Sequence, residues 1–128
     1  MSRVGGKNTR PEMLVRRALH AAGLRFRIHR RDLPGTPDIV LPKHGIAVMV
    51  QGCFWHGHDC PRGRRPKSNV DFWMTKLDRN LQRDRANANA LLGLGWHVVT
   101  VWECALDDGV QAVLARVQAS TRAIEEVR

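Results

Sequence analysis

Nine consecutive residues from Gly52 to Cys60, GCFWHGHDC, carry two cysteines, two histidines and two aromatic side chains. Thiolates and imidazoles are ligands that zinc prefers, and four of them in a tetrahedron make a closed, structural site. Cys53, His58 and Cys60 could supply three ligands. Cys104, the remaining cysteine, could supply the fourth if its strand lies beside the strand before Cys53. The alternative is a set of buried free thiols with His58 on the surface.

The histidine that this zinc set leaves over, His56, and the nearby Asp38 suit hydrolytic chemistry. An imidazole has an ordinary pKa of ~6.5, so His56 can accept or donate a proton at neutral pH. Cleavage of a phosphodiester commonly uses a divalent cation held by carboxylates. Asp38 opens an apolar strand in PGTPDIVLPKHG, although an aspartate after proline is also a common turn residue. Glu12 and Asp84 are further candidate acids, with a helix cap and pairing to arginines as their alternative roles.

Aromatic residues near basic ones indicate a second kind of chemistry, contact with nucleic acid. Phe54 and Trp55 lie on a glycine-flanked loop, and Trp73 follows near the start of a long helix. Such side chains can stack on bases or insert between base steps, and they can equally belong to the core. On the same helix, Lys76, Asn80 and Arg83 share one face that could follow a phosphate backbone or simply be solvated.

The overall charge favours a polyanionic partner. The 128 residues include 21 Lys and Arg against 12 Asp and Glu, a formal net charge of +9. A field of this sign attracts nucleic acid. Residues 1–8 are basic, glycine-rich and aperiodic, which predicts a flexible arm. The start of the chain lacks the apolar core of a signal peptide, and no apolar run has the length of a membrane span. We therefore expect a cytoplasmic protein with no membrane partner.

The elements that must position these residues are predicted in the order α-β-β-β-α-β-α. Thr9 to Glu12 form a capping-box pattern that begins a helix, and Gly23 ends it. Leu24 to Ile28 alternate between apolar and basic side chains, as in a half-buried strand. The apolar runs 39–41 and 46–50 flank a turn signal at 42–45, which predicts a hairpin.

The second half of the chain continues the pattern. Ser68 or Asn69 is placed to cap a long helix that Gly95 ends. Residues 96–102 are mostly apolar and predict a buried strand, and an amphipathic helix follows over 107–126. The whole predicts one α/β domain over 9–128, a mixed sheet flanked by helices.

Five segments together resemble the very-short-patch-repair (Vsr) endonucleases, the bacterial enzymes that nick DNA beside T:G mismatches. The segments are GKNTRPEMLVRRALHAAG, FRIHRRDLPGTPDIVLPKHG, GCFWHGHDC, FWMTKLDRNLQRD and GWHVVTVWECAL, from about residue 6 to residue 106. The resemblance implies a fold related to the PD-(D/E)xK restriction endonucleases. It also implies a Mg²⁺-dependent nick 5′ of the mismatched thymine, in repair of deaminated 5-methylcytosine.

The resemblance further assigns roles to individual residues. Asp38 and the backbone carbonyl of Val50 would hold catalytic Mg²⁺, Glu12 would act in its outer hydration shell, and His56 would transfer a proton. The structural zinc ligands would be Cys53, His58, Cys60 and Cys104, and the residues inserted into the duplex would be Phe54, Trp55 and Trp73. The basic arm and the first helix would grip the DNA from the other groove.

Two departures from the family's wider pattern lie on the strand 46–50 and just after it. The strand carries neither the second acid nor the lysine of the PD-(D/E)xK motif. Gln51 occupies a position at which a well-known member of the family has a titratable histidine. A slower enzyme, or a different ordering of the attacking water, is the consequence that we expect of Gln51.

Two other functions remain open at the level of sequence. One is a restriction-type or mobile-element endonuclease of the same fold, and the other is a non-catalytic, zinc-stabilised DNA-binding module. For the repair enzyme the expected partner is double-stranded DNA with a T:G mismatch. Other mismatch-repair proteins and a cytosine-5 methyltransferase are candidate partners, and we expect a monomer.

Overall fold

The computed structural model describes residues 9–53, 60 and 68–127, and for residues 122–127 it describes the backbone only. Within these ranges the chain order is α-β-β-β-α-β-α, as predicted. The elements are α1 (Arg10–Ala21), β1 (Arg27–Ile28), β2 (Ile39–Leu41), β3 (Ile46–Gln51), α2 (Val70–Gly93), β4 (His97–Trp102) and α3 (Leu106–Val127), with 3₁₀ turns at Pro42–His44 and Glu103–Ala105.

The four strands form one mixed sheet in the order β1-β2-β3-β4. The pairs β1–β2 and β2–β3 are antiparallel, and β3 and β4 run parallel. The hairpin β2–β3 places Ile39 opposite Val48. In the parallel pair Gln51 lies opposite Trp102, so both strands reach the same edge of the sheet at their carboxyl ends.

Helices cover both faces of the sheet, which explains why β2 and the first half of β3 are continuous apolar runs rather than alternating ones. On one face, side chains of α1 and α3 pack on the sheet in a single cluster. On the other face, Leu91 of α2 packs on Val40 and Ala47. The fully buried members of the first cluster are Val15, Leu19, Ile39, Leu41, Ile46, Val48, Val101 and Val113. The mixed α/β domain predicted from the sequence is confirmed.

A close helix–strand contact lets α3 follow β4 almost directly. Gly109 of α3 lies against Val101, and a Cβ added at residue 109 would be 2.5 Å from the Cγ1 of Val101. Any side chain at this position would push the helix away from the sheet.

Two local expectations differ from the structure. β1 comprises only two residues, both exposed, because Leu24 and Phe26 pack beside the core before strand pairing begins. Asn69 occupies the N-cap of α2 as expected, but its φ of +52° is left-handed and its side chain makes no capping hydrogen bond. At α1 the predicted cap is present, since the N–H of Glu12 donates to Thr9 Oγ1 at 3.4 Å.

Among the described residues, no helix combines the length and the apolar character needed to cross a membrane.

Candidate functional site

Three side chains from separate elements meet in a group that we call the carboxylate centre: Glu12, His29 and Asp38. Glu12 lies in the first turn of α1, His29 directly follows β1, and Asp38 directly precedes β2. Their ligand atoms all lie within 4.8 Å of one another. Glu12 is 2% exposed, so its carboxylate is shielded from solvent and depends on the neighbouring groups for its hydrogen bonds.

The end of the β2–β3 pairing holds Asp38 in place. Continued by two residues from Ile39 opposite Val48, the register would put Pro37 opposite Val50. A proline has no N–H to give to the ladder, and the pairing stops at Ile39. The N–H of Val50 donates instead to Asp38 Oδ2 at 2.7 Å. Because proline ends the pairing, the backbone N–H of Val50 is available to bind the Asp38 carboxylate instead of a strand partner.

The electrostatics of the centre favour a cation. The pKa of Asp38 is raised to about 7: burial is the largest cause and the nearby Glu12 carboxylate adds to it, while the Val50 N–H and the Arg16 guanidinium act in the opposite direction. Two carboxylates held close together in a partly dry site repel one another. A divalent cation would relieve this repulsion, so the donor set fits a metal such as Mg²⁺, whose usual ligands are oxygens.

Glu12 is anchored by two neighbours. Its Oε2 accepts a hydrogen bond from Arg16 Nη2 at 3.1 Å and lies 3.1 Å from His29 Nε2. The sequence alone identified Glu12 and Asp38 as candidates but missed His29. The alternation of residues 24–29 assigns His29 to the solvent face. Its φ of +49° breaks that alternation, and residue types and spacing carry no signal for such a turn.

The second group, which we call the cysteine cluster, consists of Cys53, Cys60 and Cys104. Their sulfur atoms lie within 4.8 Å of one another. Cys53 lies two residues beyond the end of β3 and Cys104 two residues beyond the end of β4, so the parallel pairing brings them together. The condition for Cys104 to join the set, that its strand lies beside the strand before Cys53, is met. Three sulfurs at this separation fit a soft metal ion such as zinc.

The surroundings of Cys53 suit a ligand that is fixed before a metal binds. Its side chain is fully buried, and burial raises the pKa of the thiol to about 12. Its backbone N–H donates to Glu103 Oε1 at 3.0 Å, which ties the loop after β3 to the turn after β4. His58, the predicted fourth zinc ligand, lies outside the described residues.

The candidate DNA contacts on α2 lie along one stretch of the helix. Trp73 is half-buried rather than in the core, and Lys76 Nζ lies 5.9 Å from the centroid of its ring. Phe72, which the sequence analysis did not single out, is 61% exposed and meets the Trp73 ring edge-on at 5.2 Å. Further along, Asn80 is half-buried and Arg83 is exposed. The predicted inserting residues Phe54 and Trp55, and the predicted proton carrier His56, lie outside the described residues.

Gln51 and Asp84 are brought together in a different place. Both line a cavity of about 160 Å³ between α2 and the strands β3 and β4, together with Arg85 and Thr100. Asp84 therefore lies on the α2 side of the sheet, apart from the carboxylate centre. Gln51 is 8% exposed, and its neutral amide cannot take up a proton at neutral pH.

The sequence of this chain is similar to those of several known proteins. A family model described as DNA mismatch endonuclease Vsr matches residues 1–62. The type II nicking enzyme V.XorIIP of Xanthomonas oryzae pv. oryzae is 53% identical over 108 residues, which cover 84% of this chain and 79% of that protein. The type II nicking enzyme V.NmeAIP of Neisseria meningitidis is 45% identical over 106 residues, 83% and 76% of the two chains. The DNA mismatch endonuclease Vsr of Escherichia coli is 38% identical over 106 residues, 83% and 68% of the two chains.

Proposed function

The chain belongs to the Vsr family of DNA mismatch endonucleases, and we propose that it nicks duplex DNA 5′ of the thymine in a T:G mismatch. The nick would begin very short patch repair of deaminated 5-methylcytosine and leave 3′-hydroxyl and 5′-phosphate ends. The observation that carries the proposal is the carboxylate centre, where the Asp38 carboxylate is clamped by the Val50 N–H at 2.7 Å beside a second buried acid.

Asp38 and the backbone carbonyl of Val50 would hold Mg²⁺ in this reaction. In an extended strand the N–H and C=O of one residue point to the same side. Because the Val50 N–H points to Asp38, its carbonyl is directed to the same edge of the hairpin. When bound, Mg²⁺ would stabilise the negative charge that develops on the phosphate oxygens. Glu12, anchored by Arg16, would accept hydrogen bonds from water in the outer hydration shell.

The proton of the attacking water would pass to His56. Gln51 cannot take that role, because a neutral amide has no basic lone pair at neutral pH. Gln51, the last residue of β3, can thus form hydrogen bonds but cannot act as a base. We therefore assign proton transfer to His56 alone, with Gln51 affecting the order of nearby water.

Recognition of the mismatch would depend on unstacking. Insertion of Phe54, Trp55 and Trp73 between base steps costs less at a mismatched step than at a paired one, so the insertion free energy selects the mismatch. Lys76, Asn80 and Arg83 on α2 would contact phosphates. The exposure of Phe72 beside Trp73 supports an aromatic contact surface at the start of this helix.

A structural zinc ion would be bound by Cys53, His58, Cys60 and Cys104. The three sulfur atoms within 4.8 Å of one another support this assignment. A four-ligand site has no open position, so zinc would stabilise the edge of the sheet that carries the DNA-contacting loop and would take no part in the chemistry.

A nicking assay tests the proposal directly. Duplexes with one T:G mismatch and matched T:A duplexes would be incubated with the protein in the presence or absence of added Mg²⁺. Mg²⁺ is omitted rather than chelated, because a chelator could also remove a metal from the cysteine cluster. We expect nicking of the T strand of the mismatched duplex only, dependent on Mg²⁺ and lost in Asp38→Ala. Asp107→Asn, which changes an exposed acid on α3, is the matched control.

Two outcomes would contradict the proposal. Equal nicking of T:G and T:A duplexes would indicate a restriction-type or mobile-element endonuclease of the same fold. Binding of DNA without nicking under any cation would indicate a non-catalytic DNA-binding module.

A further inference from the structure

His29 is a member of the carboxylate centre to which the proposed reaction gives no role. Its Nε2 lies 3.1 Å from Glu12 Oε2, and its side chain is 13% exposed. Since the ligand atoms of His29, Glu12 and Asp38 all lie within 4.8 Å of one another, the centre is a donor set of two carboxylates and one imidazole.

The backbone at His29 is built to bring its side chain inward. Its φ of +49° is in the left-handed region, which residues other than glycine seldom adopt. Its N–H donates to the carbonyl oxygen of Asp38 at 3.2 Å, which fixes this turn against the start of β2. Unusual backbone conformations of this kind are found preferentially at functional sites.

The contacts of the imidazole ring show that Nε2 is the ring nitrogen that lies in the centre. Arg16 Nη2 lies 3.1 Å from Glu12 Oε2 and 3.3 Å from His29 Nε2. The same nitrogen can accept from the Arg16 guanidinium through its lone pair or donate an N–H to Glu12, depending on the tautomer of the ring. In the tautomer that carries its proton on Nδ1, the lone pair of Nε2 lies beside the two carboxylates and is available to a cation.

We propose that His29 Nε2 is a ligand, together with Asp38, of the divalent cation, and that the site therefore binds Mn²⁺ more tightly than Mg²⁺. The inference rests on the proposed function for the presence of a cation at Asp38. Mg²⁺ takes oxygen ligands and keeps its waters, whereas first-row transition ions accept imidazole beside carboxylate. An imidazole in the ligand set thus favours Mn²⁺ over Mg²⁺.

The test measures ion binding without DNA and without turnover. Protein with a zinc-loaded cysteine cluster is titrated with Mn²⁺, free Mn²⁺ is followed by electron paramagnetic resonance, and Mg²⁺ is added as the competitor. We expect wild type to prefer Mn²⁺ by about tenfold, and His29→Gln to weaken Mn²⁺ binding by about tenfold with less than about a twofold effect on Mg²⁺. His20→Gln is the matched control, since His20 is exposed on α1 and stacks on Phe26.

A spectroscopic signature separates a ligand from a merely structural residue. Electron spin-echo modulation from a coordinated imidazole nitrogen should be present in the Mn²⁺ complex of wild type and of His20→Gln, and absent in His29→Gln. Measured on wild type and on His56→Gln, which lacks the other imidazole of the proposed reaction, the modulation decides the question even if His29→Gln fails to fold.

The two ways of failing are distinguishable. If wild type shows no nitrogen modulation while Asp38→Asn abolishes Mn²⁺ binding, the inference about His29 is wrong and the cation site of the proposed function stands. If Asp38→Asn binds Mn²⁺ as wild type does, the cation site itself is wrong, and the inference is overturned with it.

Discussion

The carboxylate centre and the cysteine cluster are both attached to the carboxyl end of β3, yet they are opposite in chemistry and in their effect on the fold. Val50, which clamps Asp38, and Cys53, which belongs to the cluster, are separated by two residues. The first centre offers hard oxygen donors with one imidazole, and the second offers soft sulfur donors. The end of one strand thus carries two donor sets that differ in their preference for cations, oxygen in the first and sulfur in the second.

The energetic difference between the two centres follows from their charges. Ionised Asp38 is disfavoured by burial and by Glu12, so its pKa rises, and the carboxylate centre costs the metal-free protein stability at neutral pH. Burial holds the pKa of Cys53 high, so this thiol keeps its proton in the metal-free state. A metal bound to the cluster would stabilise the folded state, because the unfolded chain has no preformed site for it. Under the proposed roles, one centre would serve chemistry at the expense of stability, and a metal on the other would offset that cost at the same edge of the sheet.

The largest expected effect separates chemistry from structure. Asp38→Asn should lower single-turnover nicking of a T:G duplex by about 10³-fold, roughly 4 kcal/mol of transition-state stabilisation, because the substitution removes the charge that holds the cation. The zinc content of the purified protein should stay unchanged. Rapid-quench kinetics measure the first quantity and elemental analysis the second. A loss of zinc in Asp38→Asn would mean that the two centres are not independent.

A substitution in the cysteine cluster should lower the stability of the fold. Cys53→Ser is expected to lose bound zinc and about 3 kcal/mol of the free energy of unfolding, because a ligand from the buried end of the site is removed. Urea unfolding followed by circular dichroism gives the second value. Equal stability of Cys53→Ser and wild type, each saturated with zinc, would show that the cluster has no structural role.

The pH dependence of stability tests the cost of Asp38. The pKa of this carboxyl is raised in the folded protein to about 7 from an ordinary value of 3.8. The folded state therefore holds the proton more tightly than the unfolded state does, and stability is lost as the pH rises between these values. Without Mg²⁺, the free energy of unfolding of Asp38→Asn should rise by about 2 kcal/mol relative to that of wild type between about pH 4 and about pH 8. This value takes solvent screening at the partly exposed site into account. The same difference in the free energy of unfolding between the two proteins at both pH values would contradict this.

The smallest effect concerns the bond that links the two strand ends. Glu103→Ala should cost about 1 kcal/mol, because the buried N–H of Cys53 loses its acceptor. Glu103→Gln keeps an acceptor oxygen and should cost less. Both variants should retain nicking at close to the wild-type rate. If Glu103→Ala instead affected nicking as severely as Asp38→Asn, the division of roles between the two centres would be wrong.

Much of this arrangement could be predicted from the sequence because it depends on residue type and periodicity. The element order followed from apolar spacing, and the acids and cysteines were identifiable by their chemistry. A zinc site with Cys104 required the strands before Cys53 and Cys104 to lie side by side, and the parallel β3–β4 pair meets that condition. The roles of these residues as metal ligands remain predictions.

The parts that the sequence did not predict depend on backbone geometry. His29 enters the carboxylate centre through a left-handed turn, and Asn69 fails to cap α2 for the same kind of reason. The Val50 clamp on Asp38 arises where strand register meets a proline, which requires the register to be known. Single-residue departures from regular dihedral angles leave the hydrophobic pattern intact, so no periodicity reports them.

The parallel crossover from β3 to β4 sets the order in which the two centres are completed as the chain folds. A short turn at 42–45 joins β2 to β3, so Asp38 meets Val50 through a contact that is local in the chain. Cys104 reaches Cys53 only after α2 has formed and β4 has docked, a non-local closure that carries a larger entropic cost and proceeds more slowly. During synthesis on the ribosome, the hairpin with its clamped carboxylate can form while the codon for Cys104 is still untranslated. The growing chain can thus form the contact of Asp38 with Val50 before the sulfur atoms of the cluster come together.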